Sequence, residues 1–271
     1  MNLVNGVESD AISALDRGLL YGDGVFRTFT LRGGRPLLWQ RQIAKLAADC
    51  TALRIACPPA EVFERDLAAI AARHPDCVVK LVVTRGSGPR GYAISGAIAP
   101  MRIVSTSPLP KYPQHLYDRG VRVHLCRLRL AAQPALAGIK HLNRLENVLA
   151  RSEWSDPDIA EGLLCDAEDN VIGGTMTNLF LVKNGALATP DLARCGVAGV
   201  TREMVIELAR ENKIDTRIAA VSIDDLLAAD ELFLVNSVIG VWSIAALDRR
   251  TWIPGPITTR VGGWLKHAQD R

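Results

Sequence analysis

Lys140 is the residue whose type and setting invite covalent chemistry. It stands in Gly138-Ile139-Lys140-His141-Leu142-Asn143-Arg144-Leu145-Glu146-Asn147, after the loop-like stretch Gln133-Pro134-Ala135-Leu136-Ala137-Gly138. Behind it, Leu142, Leu145, Val148 and Leu149 recur at helical spacing and predict an amphipathic helix with these four on its apolar face. A lysine at the end of a loop is ordinarily a solvated charge. Partly desolvated, the same amine can form a Schiff base with a carbonyl group and afterwards move protons.

Two further stretches carry usable chemistry. Gly196-Val197-Ala198-Gly199-Val200-Thr201-Arg202 opens a predicted helix with Val205, Leu208 and Ala209 inward, so backbone N–H groups at the positive end of a helix dipole can receive a phosphate. Arg85-Gly86-Ser87-Gly88-Pro89-Arg90-Gly91-Tyr92 places two arginines and a tyrosine on a glycine-rich loop after a strand, which can hold a carboxylate or be an exposed hairpin. No nucleotide-binding P-loop, dinucleotide fingerprint or serine-hydrolase elbow is present. The five histidines and six cysteines are dispersed, with no Cys-x-x-Cys spacing, so no metal site and no disulfide framework is expected.

The elements around these stretches predict two modest domains in 271 residues. A hairpin strand runs Val25–Leu31 into Gly33-Gly34 and back through Arg35–Trp39. Two helices follow, one marked by Ile43, Leu46, Ala47, Cys50 and Leu53, the other by Val62, Phe63, Leu67 and Ile70, and strands at Val78–Thr84 and Arg102–Ser107 complete a small sheet. Residues 1–107 form the expected N-terminal domain. The proline-rich stretch 108–120 is the expected linker, and 121–271 the larger C-terminal domain. There, strands are predicted at Val121–Leu125, Glu161–Cys165, Asn178–Val182, Leu232–Val235 and Val241–Ile244, with helices at Thr201–Asn212, Ser222–Ala229 and the C-terminus. Ser222-Ile223-Asp224-Asp225 has the form of a capping box.

Hydrophobic residues at 48%, charged ones at 23% and a net charge of +3 are those of a globular enzyme. Basic residues are interleaved with acidic ones rather than gathered in a stripe, which argues against a nucleic-acid partner. Without an apolar leader or a membrane-length run, the expected location is the cytoplasm.

Together these stretches resemble the class IV aminotransferase family of fold-type IV pyridoxal-phosphate enzymes, and within it the 4-amino-4-deoxychorismate lyase branch. The resemblance rests on Asp16-Arg17-Gly18-Leu19-Leu20-Tyr21-Gly22-Asp23-Gly24-Val25-Phe26, on Thr175-Met176-Thr177-Asn178-Leu179-Phe180, on Leu187-Ala188-Thr189 and on Val197–Arg202; the lysine and Arg85–Tyr92 stretches point to the lyase branch. It covers nearly the whole chain. The fold so implied is α+β / α/β, a two-domain architecture like that of D-amino acid aminotransferase, with pyridoxal 5'-phosphate in the interdomain cleft of a homodimer.

The resemblance implies that Lys140 holds the cofactor as a Schiff base and acts as base and acid. It implies that the N–H groups of Val200 and Thr201, with Ser237, hold the cofactor phosphate, that Lys45 and Asn178 join the cofactor site, and that Arg90 and Tyr92 meet the carboxylates of 4-amino-4-deoxychorismate. Two positions depart from the family pattern. Gly173 stands where a glutamate usually pairs with the pyridine nitrogen, and Lys45 stands where an arginine usually meets the phosphate. The first weakens the ring as an electron sink, which elimination driven by aromatisation tolerates better than transamination. A class IV aminotransferase for D-amino or branched-chain acids, and a non-catalytic binder of a phosphorylated ligand, are the alternatives.

Overall fold

A computed structural model describes residues 1–94, 96 and 98–269. The chain forms two compact units, Met1–Pro110 with Ile139–Asn143, and Lys111–Gly138 with Arg144–Arg271. The short segment bearing Lys140 thus belongs with the N-terminal unit, where the linear division at 121 would not place it. Ile139 explains this, since its side chain is buried in the core of that unit.

In the first unit the elements are β1 (Asn2–Val4), β2 (Val7–Glu8), α1 (Arg17–Tyr21), β3 (Gly24–Arg32), β4 (Arg35–Pro36), α2 (Trp39–Ala52), α3 (Ala60–Ala71), β5 (Cys77–Thr84) and β6 (Met101–Ser107). The strands form an antiparallel sheet in the order β2-β1-β6-β5-β3-β4. Its core joins Phe29 and Leu31 of β3 and Leu81 of β5 to Leu46 and Cys50 of α2 and Phe63 and Ile70 of α3. The expected return strand is short because Trp39 already begins α2.

The second unit contains α4 (His115–Asp118), β7 (Val121–Leu130), α5 (Leu145–Arg151), β8 (Ile159–Asp166), β9 (Val171–Gly174), β10 (Asn178–Lys183), β11 (Ala186–Pro190), α6 (Val200–Glu211), β12 (Thr216–Ala219), α7 (Ile223–Leu227), β13 (Glu231–Asn236), β14 (Gly240–Leu247), β15 (Arg250–Thr251) and α8 (Pro256–Gln269). Its mixed sheet runs β12-β11-β10-β13-β14-β7-β8-β9, with β15 on β14. The pairs β11–β12, β14–β7 and β7–β8 are parallel and the rest antiparallel. Trp242, Leu163, Leu179 and Leu234 lie at the centre of the larger core cluster.

The capping box at α7 is present, with Ser222 and Asp225 each bonded to the other's backbone. The helix after Lys140 departs from its expected orientation. It begins only at Leu145, and Leu145, Val148 and Leu149 are 67%, 62% and 51% exposed, while Ala150 is the side chain it buries. A small residue lets α5 approach β7 and β8 closely, and the large apolar ones are left facing outward.

Candidate active site

In the first unit Lys140 is held by its main chain. Lys140 O accepts from Phe26 N at 2.9 Å, Leu142 N donates to Gly24 O at 2.9 Å, and Val25 and His141 form an antiparallel bridge. The segment therefore behaves as a short extra strand on the start of β3. Alternation then fixes the side chains: Ile139 and His141 are buried, and Lys140 between them is half-buried. Its ammonium lies 4.5 Å from the centre of the Phe26 ring.

Behind the lysine, α2 buries a carboxylate. Asp49 is 1% exposed and pairs with Arg27 Nη2 at 2.5 Å, with Lys45 Nζ one helical turn back, and with the backbone N–H of Lys140 at 3.2 Å. Asp49 and Arg27 escaped the sequence reading, because an aspartate in an amphipathic helix and an arginine in an alternating strand look like ordinary surface residues.

In the second unit, α6 starts with Gly199 as N-cap and no side-chain cap on its first turn. The Thr201 and Ser237 hydroxyls lie 3.1 Å apart at this end. Asn178 organises the approach, donating to Val197 O at 2.8 Å and accepting from Gly199 N at 3.2 Å. A β-carbon at position 199 would collide with the Asn178 side-chain oxygen, so the turn needs glycine there. An uncapped helix start with two adjacent hydroxyls is a donor set suited to a phosphate, and Lys140 supplies an amine for an aldehyde. Each set, taken within its own unit, offers chemistry that pyridoxal phosphate requires.

The Gly173 position does not supply an acid. A β-carbon there would already stand 3.0 Å from the Thr177 carbonyl oxygen, so the backbone crowds the place where a longer side chain would start. The buried acid of this region is Glu161 on β8. It accepts from Gly162 N, Thr175 N, Met176 N and the hydroxyls of Thr175 and Thr177. Burial pushes its carboxyl above the usual range, and the surrounding donors pull it back. Its Oε2 would lie 2.8 Å from a β-carbon on Gly174, the neighbour of Gly173. The sequence reading missed this residue too, since the donors that surround it lie in a separate stretch.

The Arg85–Tyr92 loop is tied to its own unit. Arg85 chelates Asp23 and donates to the carbonyls of Leu53 and Arg54, while Arg17 bonds Asp23 and the carbonyls of Gly91 and Tyr92. Burial opposes the charge on Asp23, but the two guanidiniums outweigh it and hold the carboxyl below its ordinary value. Of the two arginines only Arg90 is exposed, and Tyr92, 84% exposed, meets Tyr21 edge-on at 5.3 Å.

The fold also assembles His124, Cys126 and Glu153, whose ligand atoms lie within 4.8 Å of one another. Their separation in sequence hides this grouping. Glu153 is already engaged by the N–H groups of Arg127 and Leu128 and by His124, and burial pushes the Cys126 thiol up to about 12. These contacts account for the cluster.

The model of the amino-transferase class IV family matches residues 24–247, and the chain belongs to that family. It is 34% identical over 266 residues to an aminodeoxychorismate lyase of Vibrio harveyi, covering 97% of this chain and 98% of that one. A crystal structure of 4-amino-4-deoxychorismate lyase from Pseudomonas aeruginosa superposes with a TM-score of 0.95 at 45% identity, over 100% of both chains. A putative branched-chain-amino-acid aminotransferase of Methanocaldococcus jannaschii is 32% identical over 248 residues, 90% of this chain and 85% of that one.

Proposed function

We propose that this chain is a pyridoxal-phosphate-dependent lyase that converts 4-amino-4-deoxychorismate to 4-aminobenzoate and pyruvate, a step toward folate. The observation that carries the reading is end-to-end similarity to lyases of that name, 45% identical in one solved structure, joined to a half-buried lysine locked by its main chain. When bound, the cofactor supplies an electron-withdrawing ring that acidifies the substrate carbon bearing the amino group. Lys140 Nζ anchors the aldehyde at rest, takes the proton from that carbon, and returns a proton to the departing enolpyruvate. Breaking the ether C–O bond then leaves an aromatic ring, so a strong electron sink is not required and glycine at 173 is tolerated.

The first-turn amides of α6 and the hydroxyls of Thr201 and Ser237 hold the phosphate, with Lys45 adding charge. Asn178 positions that turn, and Arg90 and Tyr92 receive the substrate carboxylates. Ser237→Ala and Thr201→Ala are each expected to weaken pyridoxal phosphate binding about tenfold, one charge-assisted hydrogen bond. Spectral titration measures this, and pyridoxal without its phosphate should bind both variants as it binds the wild type.

The chain works in the cytoplasm as a homodimer. Among the described residues no helix is long and apolar enough to cross a membrane, and the six unpaired cysteines suit a reducing compartment. The outward apolar residues of α5 are the surface a second copy can cover. Leu145→Glu combined with Val148→Glu is expected to shift the protein from dimer to monomer in sedimentation velocity at micromolar concentration.

The deciding assay supplies enzymatically made aminodeoxychorismate and follows pyruvate. Stoichiometric pyruvate and 4-aminobenzoate are expected. Keto-acid exchange between alanine and 2-oxoglutarate without pyruvate release from aminodeoxychorismate would assign an aminotransferase instead.

A further inference from the structure

Two of the six cysteines meet in the first unit. Cys50, near the end of α2, is fully buried in the core, and Cys57, half-buried ahead of α3, packs against the same core. Their thiol groups are hydrogen-bonded to each other.

The backbone between them builds this contact. α2 ends in a Schellman turn, with Arg54 N donating to Thr51 O at 2.9 Å and Ile55 N to Cys50 O at 2.8 Å, and Arg54 lies in the left-handed region at φ 55°. Arg85 clamps the turn by donating to the carbonyls of Leu53 and Arg54, and Ile55 is buried in the core. On the other side, Pro58 confines Cys57 to extended backbone, and Pro59 is the N-cap of α3. The segment that returns Cys57 to Cys50 is thus fixed at both ends, and the two sulfurs are held within reach of each other.

Their surroundings give the two thiols different roles. The contact with Cys57, together with burial, pushes the Cys50 thiol up, so it keeps its proton and donates it to its neighbour. That donated bond outweighs the burial of Cys57 and holds its thiol below the ordinary value. Cys77, Cys126, Cys165 and Cys195 are buried, and burial pushes each of them up. Cys57 is therefore the cysteine at which exposure and thiolate character coincide.

We propose that Cys50 and Cys57 form a reactive dithiol that low-molecular-weight disulfides oxidise reversibly, with Cys57 as the attacking sulfur and Cys50 as the resolving one. The Cys57 thiolate attacks one sulfur of the small disulfide, and the other sulfur leaves as a thiolate. Cys50 gives its proton to that thiolate and attacks the Cys57 sulfur, which expels the second small thiol. The two protein thiols lose two electrons and two protons, and one small disulfide becomes two thiols. An excess of small thiol drives both steps backward. No step touches Lys140 or a cofactor, so the proposal stands apart from the lyase reading.

The test treats the reduced, folded full-length protein with glutathione disulfide, blocks remaining thiols with N-ethylmaleimide in acid, and digests with trypsin without reduction. Cleavage at Lys45, Arg54 and Arg65 puts the two cysteines on separate peptides, Leu46–Arg54 and Ile55–Arg65. The expected product is these two peptides joined, two hydrogens lighter than their sum, and separated again by dithiothreitol. Cys50→Ala should stop at a stable glutathione adduct on Cys57, and Cys57→Ser should leave Cys50 unmodified. With iodoacetamide, wild-type Cys57 should react at least about tenfold faster than any of the four buried cysteines outside the pair.

Peptides that stay separate in the wild type, or adducts spread evenly over the six cysteines as in guanidinium chloride, overturn the proposal. An adduct that forms on Cys50 in Cys57→Ser at the wild-type rate overturns the assignment of the attacking sulfur. If Cys50→Ala does not fold by circular dichroism, the wild-type cross-link and Cys57→Ser decide between them.

Discussion

Lys140→Ala is expected to lower pyruvate release by on the order of ten-thousand-fold, the range associated with loss of a general acid–base group, while leaving the fold intact. The fold should survive because the segment is anchored by its main chain and by Ile139. Ile139 fills the core, Lys140 O accepts from Phe26 N and Leu142 N donates to Gly24 O across to β3, and Asp49 accepts from the Lys140 N–H. The alanine removes the cation–π contact with Phe26, and such a contact contributes about 1 kcal/mol at a half-exposed site. Borohydride treatment of the wild-type protein loaded with pyridoxal phosphate should leave the pyridoxyl group on the Lys140 peptide, and the variant should carry none. A variant that retained more than a hundredth of the activity would remove Lys140 from the chemistry, whatever the protein's relatives do.

The same lysine shows where sequence suffices and where it stops. Alternation in Val25–Leu31 marks β3 because one face meets α2 and α3, and Ser222 with Asp225 marks α7 because a capping box is made within four residues. Such signals are local. That Ile139–Asn143 would leave the chain around it and join β3 of the first unit is settled by one buried isoleucine and the two backbone hydrogen bonds of the Val25–His141 bridge, none of which has a pattern in the linear sequence. The helix after it misleads for a related reason. Leu145, Val148 and Leu149 have the spacing of a buried stripe, yet Ala150 faces the sheet, and periodicity alone cannot say which partner an apolar face awaits.

Short glycine-bearing strands are equally hard to read. β9 contains Gly173 and Gly174 and carries little strand propensity, but a side chain at 174 would strike the Thr177 hydroxyl, and it is this closeness that lets Glu161 reach the turn beyond. In β7 the strand continues to Leu130 through a register shift between Leu125 and Arg129, where charged residues hide the alternation. Polar residues buried by distant partners, Asp49 and Glu161 above all, are the part of the site that spacing could not reveal. Their partners lie on other strands and helices, brought close only by folding.

Glu161→Ala is the second large effect, and it falls on stability and the phosphate site together. The carboxylate accepts from three backbone amides and two threonine hydroxyls. Alanine leaves those donors facing an apolar void, and an unmatched buried donor costs about 1–3 kcal/mol. With partial relaxation of the turn the net loss should be about 3–5 kcal/mol, or roughly a 10 °C fall in melting temperature for a chain of this size.

The consequence then passes along the backbone. Residues 175–177 are also held by Asn147, which bonds Thr175 O, and by Asn236, which bonds Met176 O, so their released ends remain tethered and the loop distorts rather than unravels. Asn178 follows immediately, and its side chain sets the turn from Val197 to Gly199 that begins α6. Pyridoxal phosphate affinity is therefore expected to drop by more than tenfold, although Glu161 bonds neither Thr201 nor Ser237. Glu161→Gln separates the two roles. It keeps the volume and one acceptor oxygen, but turns an amide donor toward Met176 N–H or the Gly162 and Thr175 amides, so calorimetry should show an intermediate melting temperature. If Glu161→Ala instead melts with the wild type and binds cofactor normally, the turn is held by the two asparagines alone, and the buried carboxylate contributes nothing to the site.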